Sequence, residues 1–254
     1  MTLIDNSPFT YKYQGHTWEP HNYDNTTGPP VPAFYALKES MNIPTARLGI
    51  DVGLDKIIAI SQSLGVFSPL QPVPSLSLGA FELTPFEVLQ VYTNIARDGL
   101  TKNLRLIRRV ENESGNIIYS PDEASEQILN PQDFVSLTSV LREGMRTGTG
   151  IGARSRGFTA DAAGKTGTTS NYKDAWFAGY TPNHVAIVWT GYDDNTPLRL
   201  SGASGALPIW TEDMKSYMLN RPTPAFHWDY KNLETLDVSA QELLDCVIPQ
   251  SRAV

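Results

Sequence analysis

The apolar positions of this chain follow two rhythms. Between residues 32 and 146 they recur mostly at helical spacing. "VPAFYALKESMN" opens near Pro32 and predicts a short helix that ends at Ser40-Met41-Asn42, just before Pro44. "GLDKIIAISQSLG" predicts an amphipathic helix closed by Gly65. "LTPFEVLQVYTNIARDG" carries the fullest set of helix signals: Thr84 to cap, Pro85 for the first turn, Glu87 to complete a capping box, Gly99 to stop. "NPQDFVSLTSVLREGMRTGTG" is a further capped helix running into a glycine-rich loop, and "LRLIRRVENESGNIIYS" reads as a hairpin turned at residues 113–116. From residue 159 the period shortens. "TADAAGKTGTT", "DAWFAGYTP" and "HVAIVWTGYDD" predict three strands whose short links pair them antiparallel. "ASGALPIWTEDMKSYML" then supplies a helix to cover that sheet. Residues 1–30 are polar and rich in Gly, Pro, Asn and Thr, a loop or weak strands packed on something else. The pattern is α+β: a helical block, then an antiparallel sheet with covering helices. One unit is expected over 1–220, followed by an acidic tail, 221–254, with a weak helix around "SAQELLDC".

Composition narrows the partners. The 254 residues carry a net charge of −7 and no basic run, which argues against nucleic acid. Cys246 is the one cysteine, so neither an internal disulfide nor a cysteine metal cage is possible. His16, His21, His184 and His227 lack ligand spacing on a helix, and no metal or nucleotide cofactor is expected. There is no apolar run of about 18 residues. The start, "MTLIDNSPFTYKYQG", is not a signal peptide.

The chemistry concentrates in "GKTGTTSNYKDAWF", residues 164–177. On an edge strand, alternation sends Lys165 and Gly167 to one face and Thr166 and Thr168 to the other. The threonine hydroxyls can donate to a carboxylate. The Thr168 N–H can donate to an oxyanion, Gly167 admits a substrate backbone, and the ammonium of Lys165 favours the negative charge. Such a motif is weak alone, since a twisted strand with surface hydroxyls looks the same. Ser-x-Asn occurs twice. Ser114-Gly115-Asn116 is explained by its hairpin turn. Ser40-Met41-Asn42 sits at a helix end, where a cap or turn would suffice.

Longer stretches decide between these. "TLIDNSPFTY", "ALKESMNIPTARLGIDVG", "LSLGAFELTPFEVLQVYTNIARDG", "REGMRTGTG", "AGKTGTTSNYKDAWFAGYTPNHVAIVWTGYDDN" and "GASGALPIW" resemble, in one order over most of residues 1–220, the transpeptidase domain of class A penicillin-binding proteins. The resemblance implies the serine penicillin-recognising fold shared with β-lactamases. It implies acyl-enzyme D,D-transpeptidation of D-Ala-D-Ala stem peptides in peptidoglycan cross-linking, and β-lactam binding. It places Ser40 and Asn42 on one wall as proton relay and substrate hydrogen-bond group, and Lys165, Thr166, Gly167 and Thr168 on the opposite wall. It also implies a place in the cell envelope, on the extracytoplasmic face of the inner membrane, with membrane attachment only through an N-terminal anchor that this chain lacks.

The family's nucleophile lies in a Ser-x-x-Lys motif on a helix upstream of the segment matching "TLIDNSPFTY", where this chain starts. Its one Ser-x-x-Lys, Ser170 to Lys173, falls in a turn beside the other wall and cannot use a helix start. The fold is therefore expected to be incomplete at its N-terminus, with an apolar trough near Phe34 and Leu37. The alternatives are a catalytically dead binding or structural module, one half of a split enzyme, or a β-lactamase relative.

Overall fold

The computed structural model describes residues 2–228. The N-terminal stretch forms short antiparallel pairs. β1 (Leu3–Ile4) runs beside β4 (Val31–Pro32), and β2 (Tyr11–Tyr13) pairs with β3 (His16–Trp18). The helical block follows: α1 (Ala33–Lys38), α2 (Asn42–Val52), α3 (Leu54–Ser63) and α4 (Pro85–Ala96). Next come two more small pairs, β5 (Leu100–Lys102) with β8 (Ser125–Gln127) and β6 (Val110–Glu111) with β7 (Ile117–Tyr119). The chain continues through α5 (Pro131–Arg146) and α6 (Gly152–Ser155), the sheet strands β9 (Ala163–Thr168), β10 (Asp174–Thr181) and β11 (His184–Gly191), and α7 (Leu207–Met218). This is the α+β arrangement that the patterning predicts.

α4 forms as its local signals dictate. Thr84 accepts from the Glu87 N–H, the Glu87 carboxylate accepts from the Thr84 N–H, and Gly99 takes the left-handed conformation at φ 79° just past the end. α2 is the element that patterning misses. Pro44 reads as a break, yet it falls in the first turn, where its absent N–H has no helical partner to lose. Ser114-Gly115-Asn116 sits in the β6–β7 turn, where Asn112 Oδ1 accepts from the N–H groups of Ser114 and Asn116. That turn accounts for the motif without any chemistry.

The sheet has the order β11-β10-β9, all antiparallel, which leaves β9 at an edge. Residues of opposite parity on β10 anchor two cores. On one face Phe177 packs against Trp210 of α7 with ring centroids 4.9 Å apart, joined by Phe158, Leu207 and Met214. On the other, Tyr180 meets Ala163, Ile95 of α4 and Phe134 and Leu141 of α5, and its hydroxyl lies 2.8 Å from Thr138 Oγ1. The sheet is thus clamped between α7 and the α4–α5 pair. The segment after Arg221 returns to the body at Phe226, whose N–H donates to Asp161 Oδ2 and whose ring packs on Tyr180. The predicted helix "SAQELLDC", with Cys246, lies outside the described residues. No helix among the described residues is long and apolar enough to cross a membrane.

Candidate active site

The Ser40-Met41-Asn42 turn is built from the end of α1 and the start of α2. Ser40 N–H donates to Leu37 O and Met41 N–H to Ala36 O, the paired bonds of a Schellman ending. Ser40 occupies the position after the cap with φ 59°, where glycine is the unstrained choice. Asn42 is the first residue of α2, and its Nδ2 donates to the His21 carbonyl at 2.7 Å. Lys38, on the last turn of α1 and only 7% exposed, pairs with Glu39 at 2.7 Å and donates to Thr147 Oγ1 at 3.2 Å. It ties this turn to the glycine-rich loop after α5. There Gly148 passes so close that a Cβ would lie 2.7 Å from Lys38 O.

Opposite stands β9. Its register pairs Gly167 with Trp176 and Thr168 with Ala175, and Thr169 N–H donates back to Asp174 O. Antiparallel alternation therefore turns the backbone groups of Thr166 and Thr168 outward, away from β10. Lys165 Nζ reaches across to Ser40 Oγ at 2.6 Å and also donates to the outward Thr166 carbonyl at 3.0 Å. Desolvation pulls the Lys165 ammonium down from 10.5 to about 8. The structure thus brings the Ser-x-Asn turn and the Lys-Thr-Gly strand together, joined directly through Ser40 and Lys165.

Both threonine hydroxyls already have a partner within the chain. Thr166 Oγ1 donates to Thr149 Oγ1 at 2.8 Å. Thr168 Oγ1 accepts from the Gly202 N–H at 2.9 Å, because the π-helical turn Gly202–Ala206 before α7 lies against that face. An N–H can only donate, so the Thr168 oxygen is the acceptor and its own proton is left to donate outward. Gly202 permits this approach: a Cβ there would lie 2.5 Å from both Gly167 O and Trp176 O. Gly167 itself has Trp176 Cβ 3.1 Å from where its Cβ would be. Patterning assigns no role to Thr149. Its signal was the repeated threonine and glycine of "RTGTG". Ser170 and Lys173 lie where expected, around an exposed one-turn 3-10 segment with Asn171 at φ 62°, and no α-helix begins there.

The family model described as "Penicillin binding protein transpeptidase domain" matches residues 2–210. The chain is 37% identical over 216 residues to penicillin-binding protein 1B of Vibrio cholerae, covering 84% of this chain and 28% of that protein. Among solved structures, penicillin-binding protein 1A from Haemophilus influenzae superposes with a TM-score of 0.81 at 22% identity, covering 89% of this chain and 40% of that one. PonA1 from Mycobacterium tuberculosis, in complex with penicillin V, superposes with a TM-score of 0.75 at 21% identity, covering 89% and 65%. The chain spans less than a third of the length of the curated relatives it matches first. The order of its segments and the fold that carries them agree with these matches, and the chain belongs to the penicillin-binding protein transpeptidase domain family.

Proposed function

We propose that the groove between the Ser40–Asn42 turn and β9 holds the D-Ala-D-Ala end of a peptidoglycan stem peptide, and β-lactams in its place, for D,D-transpeptidation. The observation that carries this is the 2.6 Å contact between Lys165 Nζ and Ser40 Oγ. A carboxylate-ended peptide needs a cation and hydroxyl donors at one end, and Lys165 and Thr168 offer both. An extended backbone needs an unpaired strand edge, and β9 presents the outward N–H of Thr168. At neutral pH Lys165 is mostly ammonium, yet a pKa of about 8 leaves it close enough to neutrality to exchange a proton with the Ser40 hydroxyl. That supplies a relay toward a departing amine. Asn42, partly exposed at the start of α2, is the substrate hydrogen-bond group of the same wall.

The one Ser-x-x-Lys of the chain, Ser170 to Lys173, lies in an exposed turn and offers no serine at a helix start. This also favours a second reading, a module that binds without acylating. Cross-linking would place the protein in the cell envelope, on the extracytoplasmic face of the inner membrane. The test is equilibrium binding of benzylpenicillin to the chain, paired with intact-mass spectrometry. Reversible binding that Lys165→Ala and Thr168→Ala abolish, without a mass increment, is the expected result. A covalent adduct on Ser40 or Ser170 would overturn the assignment of roles, and no binding at all would overturn the groove.

A further inference from the structure

α2 starts without a cap of its own. Met41 at its N-cap makes no side-chain hydrogen bond to the helix, and Asn42 spends its amide on His21 O. The missing acceptor comes from far upstream. Asn22, 5% exposed, places Oδ1 3.0 Å from the Ile43 N–H, the position that a local cap would serve. Its Nδ2 donates to Asn6 Oδ1 at 2.9 Å and to Thr26 O at 2.8 Å. Ile43 N–H only donates and Thr26 C=O only accepts, so these partners fix which way the Asn22 amide points. The next residue reaches the opposite wall. Tyr23, 67% exposed, sets its hydroxyl 2.6 Å from that of Tyr172, with the rings edge to face at 6.2 Å. Tyr172 and Asn171 both have left-handed backbones, at φ 54° and 62°, so the turn after β9 is a strained one that its contacts must hold. The Tyr172 carbonyl accepts from the N–H groups of Leu198 and Arg199.

We propose that residues His21 to Thr26 form a positioning strap across one end of the groove, with Asn22 as the positioning residue that holds Ser40 and Asn42 against Lys165. The assignment rests on reading the groove as the transpeptidase site. Ser40 precedes the Asn22-bound Ile43 by only a few residues and sits in a disfavoured backbone conformation. Loss of the borrowed cap frays the first turn of α2 and lets Ser40 move off Lys165. A purely structural Asn22 would instead weaken the fold and leave the Ser40–Lys165 contact unchanged in molecules that remain folded.

The experiment is NMR on the whole chain, with two readouts: hydrogen exchange at the Ile43 amide and the titration midpoint of the Lys165 side chain. Among the described residues, the groups within hydrogen-bond reach of that amine are the Ser40 hydroxyl and the Thr166 carbonyl, and neither titrates near it. Asn22→Ala is expected to lower Ile43 protection by about tenfold, a cap's worth of free energy. It is also expected to move Lys165 up from about 8 by roughly a unit as water enters. Should Asn22→Ala fail to fold, Tyr23→Phe removes an exposed hydroxyl alone, and it is expected to shift Lys165 the same way by less. A folded Asn22→Ala or Tyr23→Phe chain in which Lys165 still titrates at about 8 overturns the strap, whether or not Ile43 loses protection. If the shifts occur but the wild-type chain binds no benzylpenicillin, the transpeptidase reading fails and the strap stands.

Discussion

Glu87 offers the sharpest test of how this fold is held. Its side chain is fully buried, yet among the described residues its carboxylate has no cationic partner and accepts from neutral donors alone: the N–H groups of Phe67, Ser68 and Thr84 and the hydroxyls of Ser68 and Thr84. Burial pushes the carboxyl up, but the Thr84 and Ser68 donors together outweigh it and hold it down from 4.5 to about 2. A carboxyl whose folded value is depressed contributes stability that is complete above its unfolded value and vanishes as pH falls through the folded one. The window is therefore pH 4.5 down to about 2. The difference, converted at about 1.4 kcal/mol per unit, is roughly 3 kcal/mol. Glu87→Gln keeps the shape but leaves one oxygen to accept and turns an NH2 group toward donors, so it should cost about 3 kcal/mol at pH 7. Urea denaturation of both proteins from pH 7 to pH 2 measures this. The gap should close as pH falls through the window, because the wild type loses the same energy there. A variant within about 1 kcal/mol of wild type at pH 7, or a gap independent of pH, would refute the reasoning.

Three further outcomes follow from the site. Ser40→Gly should be more stable than Ser40→Ala by about 1 kcal/mol in thermal melts, since both lack the hydroxyl and differ in tolerance of φ 59°; equal stabilities would deny the strain. Gly202→Ala should cost about 2 kcal/mol or more and disturb the Gly202–Thr168 bond, because backbone oxygens stand 2.5 Å from the new Cβ; an unchanged melting temperature would count against that close approach. Lys165 binds its proton less tightly when folded, so the unfolded chain holds more protons between pH 8 and 10.5 and stability should rise with pH there; Lys165→Met, compared by urea denaturation across that window, should lack the rise.

What patterning reveals here depends on how far apart the cooperating residues lie. α4 is legible because Thr84, Pro85, Glu87 and Gly99 all act within one helix. The three sheet strands are legible because their period and short links are local, and the edge position of β9 follows from their order. α2 is hidden by Pro44, which breaks a helix anywhere but in its first turn, and by a cap borrowed from Asn22. Thr149 escapes for a similar reason. Its contact with Thr166 exists only because Gly148 lets the loop after α5 press against α1. Alternation along β9 pairs Thr166 with Thr168 on one face, but it says nothing about which neighbours will use their hydroxyls.

Two sets of unusual residues make an instructive contrast. Glu87 and Trp210 are polar or bulky groups whose every demand is met. Glu87 is saturated with donors, and Trp210 is fully buried with its Nε1 donating to Ala186 O at 3.1 Å. Both belong to the layers that clamp the sheet. Ser40, Tyr172 and Lys165 are the reverse: two left-handed backbones without glycine, and an ammonium drawn into a partly dry site. Each costs on the order of 1 kcal/mol or more that another residue would avoid. Fold alone gives no reason to keep a serine where glycine is easier, directly against a lysine that would rather be in water. The groove proposed here, holding an anion and moving a proton, would give a reason for both and would need them at the distance found.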